Sequence, residues 1–279
     1  MYKITENKGY IELTNLDHFL ISQVFDCGQC FRFDENNGGI EGVALGKFVR
    51  LEQPKDDTVK IYGITKADFE NVWCRYLGLD EDYGLIENDI LTRRQGDAVL
   101  PEAVKHGQGI RILRQDKWEA LCSFIISQNN NIPRIKKIIE NMSKAFGEKI
   151  DDTHYAFPTA EALVNAGVDK IFELKTGFRA KYIYDAAEKV ASGEIDLALV
   201  DSMTTEEAIE YLTQIKGVGL KVASCALLFG FNKTDAFPVD VWVKKVLAKY
   251  YPDGLDISSL GSYAGLVQQY LFYYERYQQ

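Results

Sequence analysis

The stretch Ile215-Lys216-Gly217-Val218-Gly219-Leu220-Lys221-Val222-Ala223-Ser224-Cys225 decides how this chain is read. Two glycines flank a valine, and a lysine follows inside a run that continues Val222, Ala223, Cys225, Ala226, Leu227 and Leu228. A helical pattern over 205–215 precedes the glycines, and Thr204 and Glu207 have the spacing of a capping box at its start. Helix, tight Gly-Val-Gly turn and helix make a helix-hairpin-helix over about 205–229. Gly217 and Gly219 permit positive φ and close backbone approach. The second helix then starts with free N–H groups facing outward, a ready seat for a phosphate. The plainer alternatives are an ordinary glycine turn between two helices and a lysine whose stem is buried while its head snorkels to water.

The next segment sharpens the picture. Residues 232–240, NKTDAFPVD, lead into a helix that begins Val241-Trp242-Val243-Lys244-Lys245. Pro238 stiffens the loop, and Asp240 sits where an N-cap belongs. Capping alone accounts for Asp240 and snorkelling alone for Lys221, but neither explains why both occur around one hairpin. Residues 211–250 hold six lysines against Asp235 and Asp240, while residues 1–100 carry 11 Lys+Arg against 18 Asp+Glu. An acidic chain with one basic segment is suited to touch a polyanion there only, and a solvated helix face is the plainer alternative.

The bulk numbers set the frame. The 279 residues are 46% hydrophobic and 26% charged, with net charge −9, enough for a sizeable core and two or three compact units. There is no apolar run of membrane-spanning length, and MYKITENKGYIELTN lacks the apolar centre of a signal peptide. The expectation is a soluble intracellular protein with no membrane partner, in the cytoplasm or nucleoid if prokaryotic. Five scattered cysteines do not make a disulfide framework, and Cys27-Gly-Gln-Cys30 lacks the second pair that a structural zinc site needs. His18, His106 and His154 show no ligand spacing, so no metal site is expected.

Organisation changes along the chain. GYIELTN, CFRFDE, KFVRLEQ and TVKIYGI mix β-branched, aromatic and polar residues, separated by turn chemistry at 36–39 and 54–57. They predict an antiparallel sheet, with a helix following at 66–76. From about residue 115 the period becomes helical: Trp118, Leu121, Cys122, Phe124 and Ile125 share a face, and Pro133 opens a further helix. More helices are expected near 159–166, 180–192, 205–215, 219–229, 241–250 and 262–277. The fold class is α+β, with an antiparallel β domain over 1–110 and a helical body over 111–279.

At this point the sequence resembles the helix-hairpin-helix-GPD superfamily of DNA base-excision glycosylases, and most of all its 8-oxoguanine DNA glycosylase/AP lyase branch. The resemblance rests on GVGLKVASC and FPVD, together with GQCFRF (28–33), GIRILRQD (109–116), SFIISQNNNIPRI (123–135), GFRAKY (177–182) and YAGLVQQYLF (263–272). These segments occur in order from Gly28 to Phe272. The resemblance implies a TATA-binding-protein-like N-terminal sheet and an active site in a cleft between helical subdomains. It implies excision of 8-oxoguanine from double-stranded DNA, preferentially opposite cytosine, by a monomer.

The resemblance also assigns roles. Lys221 matches the nucleophile and Asp240 the aspartate that assists it. An ammonium cannot attack, and burial among apolar groups favours the neutral amine. The amine would add to C1′ as the base leaves, and the Schiff base would allow β-elimination. Gly28, Cys225, Gln268 and Phe272 match the residues that recognise the flipped base, with Cys225 and Phe272 as the two walls. Asn129 would fill the hole left in the helix, Phe178 would wedge the duplex, and Arg134 and Arg179 would read the opposite cytosine. Gly217, Gly219 and Lys244 would contact the backbone. No metal or organic cofactor is expected beyond a monovalent cation on hairpin carbonyls.

Two positions depart from the pattern. Trp242 stands where human-like members carry a histidine near a phosphate, and Phe33 stands where a tryptophan is usual. No cysteine cluster follows the last helix, so no iron–sulfur loop is expected. The rival readings are a monofunctional alkylbase glycosylase, against which Lys221 argues, and a non-catalytic DNA clamp, for which Lys221 and Asp240 would be dispensable. A third is a repair protein that recruits partners through its acidic N-terminal face.

Overall fold

The structure, a computed structural model, describes residues 2–277. Six strands come first: β1 (Lys3–Asn7), β2 (Tyr10–Thr14), β3 (Phe33–Asn36), β4 (Gly39–Ala44), β5 (Lys47–Lys55) and β6 (Thr58–Tyr62). They form one sheet in the order β1-β2-β6-β5-β4-β3, with every pair antiparallel. Ile11 and Leu13 face Ile61 and Val59 across the β2–β6 pair, and these four residues are fully buried. Period-two alternation therefore builds one apolar face. Strands β1 and β4 go beyond the sequence expectation. KITEN is mostly polar, and GIEGVA holds two glycines, so neither carries a strong local strand signal.

The helices are α1 (Ile21–Asp26), then α2 (Lys66–Asp68) and α3 (Cys74–Tyr76) joined by a π-helical turn at Phe69–Trp73. There follow α4 (Tyr83–Arg93), α5 (Leu100–His106), α6 (Lys117–Ser127), α7 (Ile132–Phe146), α8 (Ala160–Ile171) and α9 (Ala180–Ala191). The last four are α10 (Thr205–Leu212), α11 (Leu220–Gly230), α12 (Val241–Tyr250) and α13 (Ala264–Tyr277). Caps set several starts. Thr204 and Glu207 make the full capping box on α10, Asn131 caps α7 with Pro133 in its first turn, and Asp240 caps α12.

Two hydrophobic clusters result. One lies under the sheet and runs from Ile11 to Leu113, while the other runs through the helices and takes in Cys27 and Phe31. The Cys27–Cys30 pair straddles them: Cys27 points into the helical core and Cys30 into the sheet core. Both thiols are free, and burial pushes Cys27 up to about 12 and Cys30 higher still. They are packing residues, and no group of three metal-ligating side chains exists among the described residues. No helix among them is long and apolar enough to cross a membrane.

The joint between the two parts is the segment 109–116. Arg111, 3% exposed, donates to the carbonyls of Asp17, His18, Gly78 and Glu81 at 2.6–3.0 Å. Its guanidinium lies over the Tyr83 ring, 4.3 Å from the centroid. Gln29 stitches the same segment to the loop after α1. Its amide donates to the carbonyls of Val24 and Arg111 and accepts from the N–H of Leu113, each at 2.8 Å. The neighbouring Gly28 is thereby held at the edge of the helical body.

Candidate active site

A cavity of about 330 Å³ opens where α6, α11, α12 and α13 meet the loop after α1. Its walls are mainly apolar: Phe31, Phe124, Ile135, Cys225, Phe229 and Phe272. Lys221, Asp240, Gly28 and Gln268 line it as well, so six residues drawn from four separate motifs converge on one space. A second groove adjoins it, lined by Asn129, Phe178, Gly219 and Lys244. Ser127, Asn130, Lys221, Asp240 and Trp242 border both and form the doorway between them.

Lys221 lies in the first turn of α11, half-buried, with its Nζ 5.5 Å from the centroid of the Phe124 ring. Nζ donates to Ser127 Oγ at 3.1 Å, and that hydroxyl donates onward to the carbonyl of Phe124 at 2.8 Å. The serine proton is thus committed to the carbonyl, and its lone pair faces the lysine. Ser127 was not singled out in the sequence. It lies 94 residues from Lys221, and a serine at a helix end reads as an ordinary terminal polar group.

Asp240 accepts the N–H of Val243 at 2.8 Å with Oδ1, the capping bond that starts α12. Its carboxylate is fixed at the doorway by that bond. Gly28 has φ +78°, and a Cβ placed there would come 3.7 Å from the Phe272 ring. Gly28 and Phe272 are therefore neighbours at the deep end. Cys225 is buried, and that burial pushes its thiol up to about 11, so it stays a neutral wall.

The hairpin has the two glycines in different roles. Gly217 has φ +81°, and a Cβ there would sit 2.4 Å from the Tyr182 ring, so turn conformation and packing both require glycine. Gly219 is extended, with φ −101° and ψ −176°, and has open space in front of it. No side chain caps α11, so its first N–H groups lack a side-chain partner, and Gly219 and Lys221 at this end line the groove.

Around the groove, Asn129 adopts φ +48° at the end of α6. Phe178 is 52% exposed and Trp242 is 41% exposed, with Lys245 4.9 Å over the indole ring. Arg134 is exposed and donates to the carbonyl of Lys175 at 3.3 Å. Arg179, the other expected cytosine reader, is turned inward. It is 2% exposed, its guanidinium donates to the carbonyls of Gln128, Asn129 and Thr176, and it stacks 4.4 Å from Phe178. It holds the Asn129 turn from inside.

The arrangement places an amine, a carboxylate and an apolar slot with a few polar groups behind an exposed rim of aromatic and basic residues. An amine lining such a slot can attack an electrophilic carbon, and a carboxylate lining the same slot can stabilise positive charge developing there.

Known proteins resemble the chain over both of its parts. Residues 12–121 match the family described as 8-oxoguanine DNA glycosylase, N-terminal domain. Residues 122–255 match the HhH-GPD superfamily base excision DNA repair protein family. The chain is 31% identical over 238 residues to the N-glycosylase/DNA lyase of Saccharomyces cerevisiae, across 79% of its own length and 57% of that protein's. Among solved structures, MBOgg1 in complex with a low-affinity DNA ligand superposes with a TM-score of 0.93 at 42% identity, covering 100% of this chain and 99% of that one. The 8-oxoguanine glycosylase/lyase of Clostridium acetobutylicum, in complex with double-stranded DNA bearing cytosine opposite 8-oxoguanine, gives 0.91 at 42% identity, covering 99% and 98%.

Proposed function

The chain belongs to the 8-oxoguanine DNA glycosylase branch of the HhH-GPD base-excision repair superfamily, and from that premise we propose that it is a bifunctional DNA glycosylase/AP lyase. Its substrate is 8-oxoguanine in double-stranded DNA, paired preferentially with cytosine. The observation that carries the reading is the doorway: Lys221 and Asp240 stand between a base-sized cavity and an exposed groove.

The hairpin seats a backbone phosphate on the free N–H groups of α11, and Lys244 adds charge beside it. Phe178 wedges the duplex and Asn129 takes the vacated place, while the damaged nucleotide swings through the doorway. Cys225 and Phe272 sandwich the base, Gly28 meets its imidazole side and Gln268 its Watson–Crick edge. Arg134 and Arg179 read the opposite cytosine. For Arg179 this means redirecting one N–H from the carbonyls it holds in the free protein.

In the reaction the Lys221 lone pair forms the bond to C1′ while the glycosidic bond breaks and its electrons leave with the base. Asp240 stabilises the positive charge that develops on the sugar. Ser127 accepts one N–H of the amine, which leaves the amine lone pair turned toward the slot. Ring opening gives an iminium between Nζ and C1′. Loss of a C2′ proton then breaks the C3′–O bond and expels the 3′ phosphate, and water hydrolyses the imine to return the lysine. Lysine, aspartate and the expelled base, which takes the C2′ proton, supply all the groups this sequence requires, so the proposal needs no metal or organic cofactor in the chemical steps. A monovalent cation on carbonyls of the 213–219 turn is proposed only as a structural aid. The proposal places the enzyme as a monomer wherever the cell keeps its DNA.

Borohydride trapping tests the reading on a duplex with one 8-oxoguanine opposite cytosine. The expected result is a covalent protein–DNA adduct with the wild type and none with Lys221→Gln. Binding without an adduct from the wild type would overturn the lyase assignment in favour of a monofunctional glycosylase or a clamp.

A further inference from the structure

The cavity holds more polar side chains than the proposed reaction uses. Lys221, Ser127, Asp240, Asn130 and Asn131 each have a partner within the protein: Ser127 Oγ, the Phe124 carbonyl, the Val243 N–H, the Ile126 carbonyl and the Arg134 N–H, respectively. Two do not. Gln268 and Gln269, adjacent on α13, both line the cavity, are 5% and 3% exposed, and make no side-chain hydrogen bond among the described residues. A primary amide carries two donors and two acceptor lone pairs, and neither glutamine has an amide atom among the fully buried side-chain atoms left without a partner, so both amides keep a solvent-reached face. One such group is accounted for by the Watson–Crick contact proposed above for Gln268. A second one, with a cavity in front of it, calls for a second contact.

We propose that Gln269 is a specificity-determining residue that reads the flipped base together with Gln268. The inference rests on the glycosylase reading above and narrows its substrate class. A guanine-derived base presents an acceptor at O6 and donors at N1 and N2 along one edge. A single amide cannot satisfy an acceptor and two donors spread over that edge. Two amides can: one carbonyl accepts from N1–H and the amino group, and the other amide's N–H donates to O6. The pair thus matches lesions that keep the 2-amino-6-oxo edge, including ring-opened formamidopyrimidines of guanine. Adenine-derived lesions carry a donor at position 6 and no amino group at position 2, so they leave part of the pair unmatched.

The test uses the full-length protein with Gln269→Leu, which keeps the size and removes the polar atoms, and Gln269→Glu. Single-turnover base excision is measured on 8-oxoguanine opposite cytosine and on the ring-opened guanine lesion. Strand nicking is measured on a duplex with a preformed abasic site, which has no base to read. The expected result for Gln269→Leu is a fall in excision of roughly tenfold or more on both base lesions, with abasic nicking within about twofold of wild type. Preserved nicking also shows that the variant is folded. Unchanged excision would overturn the proposal, and so would equal losses of excision and nicking, which would mark Gln269 as a packing residue. Failure of the wild type to excise either lesion would instead overturn the glycosylase reading itself.

Discussion

Two cations, Arg111 at the joint and Lys221 at the doorway, show how the same kind of group is put to opposite uses. Arg111 is almost wholly buried and its guanidinium meets four backbone carbonyls and an aromatic face. Burial lowers its pKa from the ordinary arginine value, yet arginine keeps its charge in proteins. It has nothing left to offer a substrate. Lys221 has one hydroxyl acceptor, a half-buried stem and an open cavity. A buried cation with four of its five donors matched to backbone carbonyls stabilises the fold. One left with a single partner beside a cavity remains available for chemistry.

The sharpest way to break this contrast is Lys221→Gln. Trapping and nicking should vanish, while the urea midpoint should move little, because one exposed-side hydrogen bond contributes only about 0.5–1.5 kcal/mol. A large loss of stability would make Lys221 structural and end the comparison. Arg111→Met is the mirror experiment. It strands several buried carbonyls at once and should cost about 3–5 kcal/mol of unfolding free energy, read from urea denaturation, with the active-site geometry otherwise untouched.

Asp240→Asn separates capping from catalysis. Asparagine caps as well as aspartate, so stability should hold, while single-turnover excision should fall by roughly 10²–10³-fold with the lost charge. Equal activity would leave Asp240 as a cap alone.

Just past the joint, on α6, Glu119 pairs loosely with Arg32 at 3.6 Å. Burial, only partly offset by Arg32, raises Glu119 from 4.5 to about 7. The folded protein therefore keeps a proton that the unfolded chain releases near 4.5. Its stabilising contribution is full below that pH and is lost as pH rises through about 7. Urea midpoints across that window should fall with pH in the wild type and stay flatter in Glu119→Gln. The smallest effect expected is that of Ser127→Ala. It removes the acceptor that orients the amine, with a loss in excision rate of about tenfold and partial recovery in Ser127→Thr.

Local chemistry made much of this legible before any coordinates. The Gly-Val-Gly turn, the lysine after it, the N-cap at Asp240 and the capping box at Thr204–Glu207 are all patterns within a few residues. The helix starts from Ala160 onward follow the same local signals, but α8 runs past the expected end at 166 to Ile171 and α10 stops at Leu212, short of 215. Strand β1 was not legible, since KITEN becomes a strand only by pairing with β2. The π-turn at Phe69–Trp73 has no sequence signature, and the inward turn of Arg179 depends on carbonyls 50 residues away.

The sequence by itself thus determined the fold class, the hairpin and the types of reactive side chain, because caps, turns and periodicity act over a few residues. Only the tertiary structure decided that Ser127 meets Lys221, that Gly28 faces Phe272 and that Gln269 stands unpartnered at the cavity. Each of those facts depends on elements distant in sequence being packed together. What a polar group can do follows from which of its hydrogen bonds that packing leaves unmade.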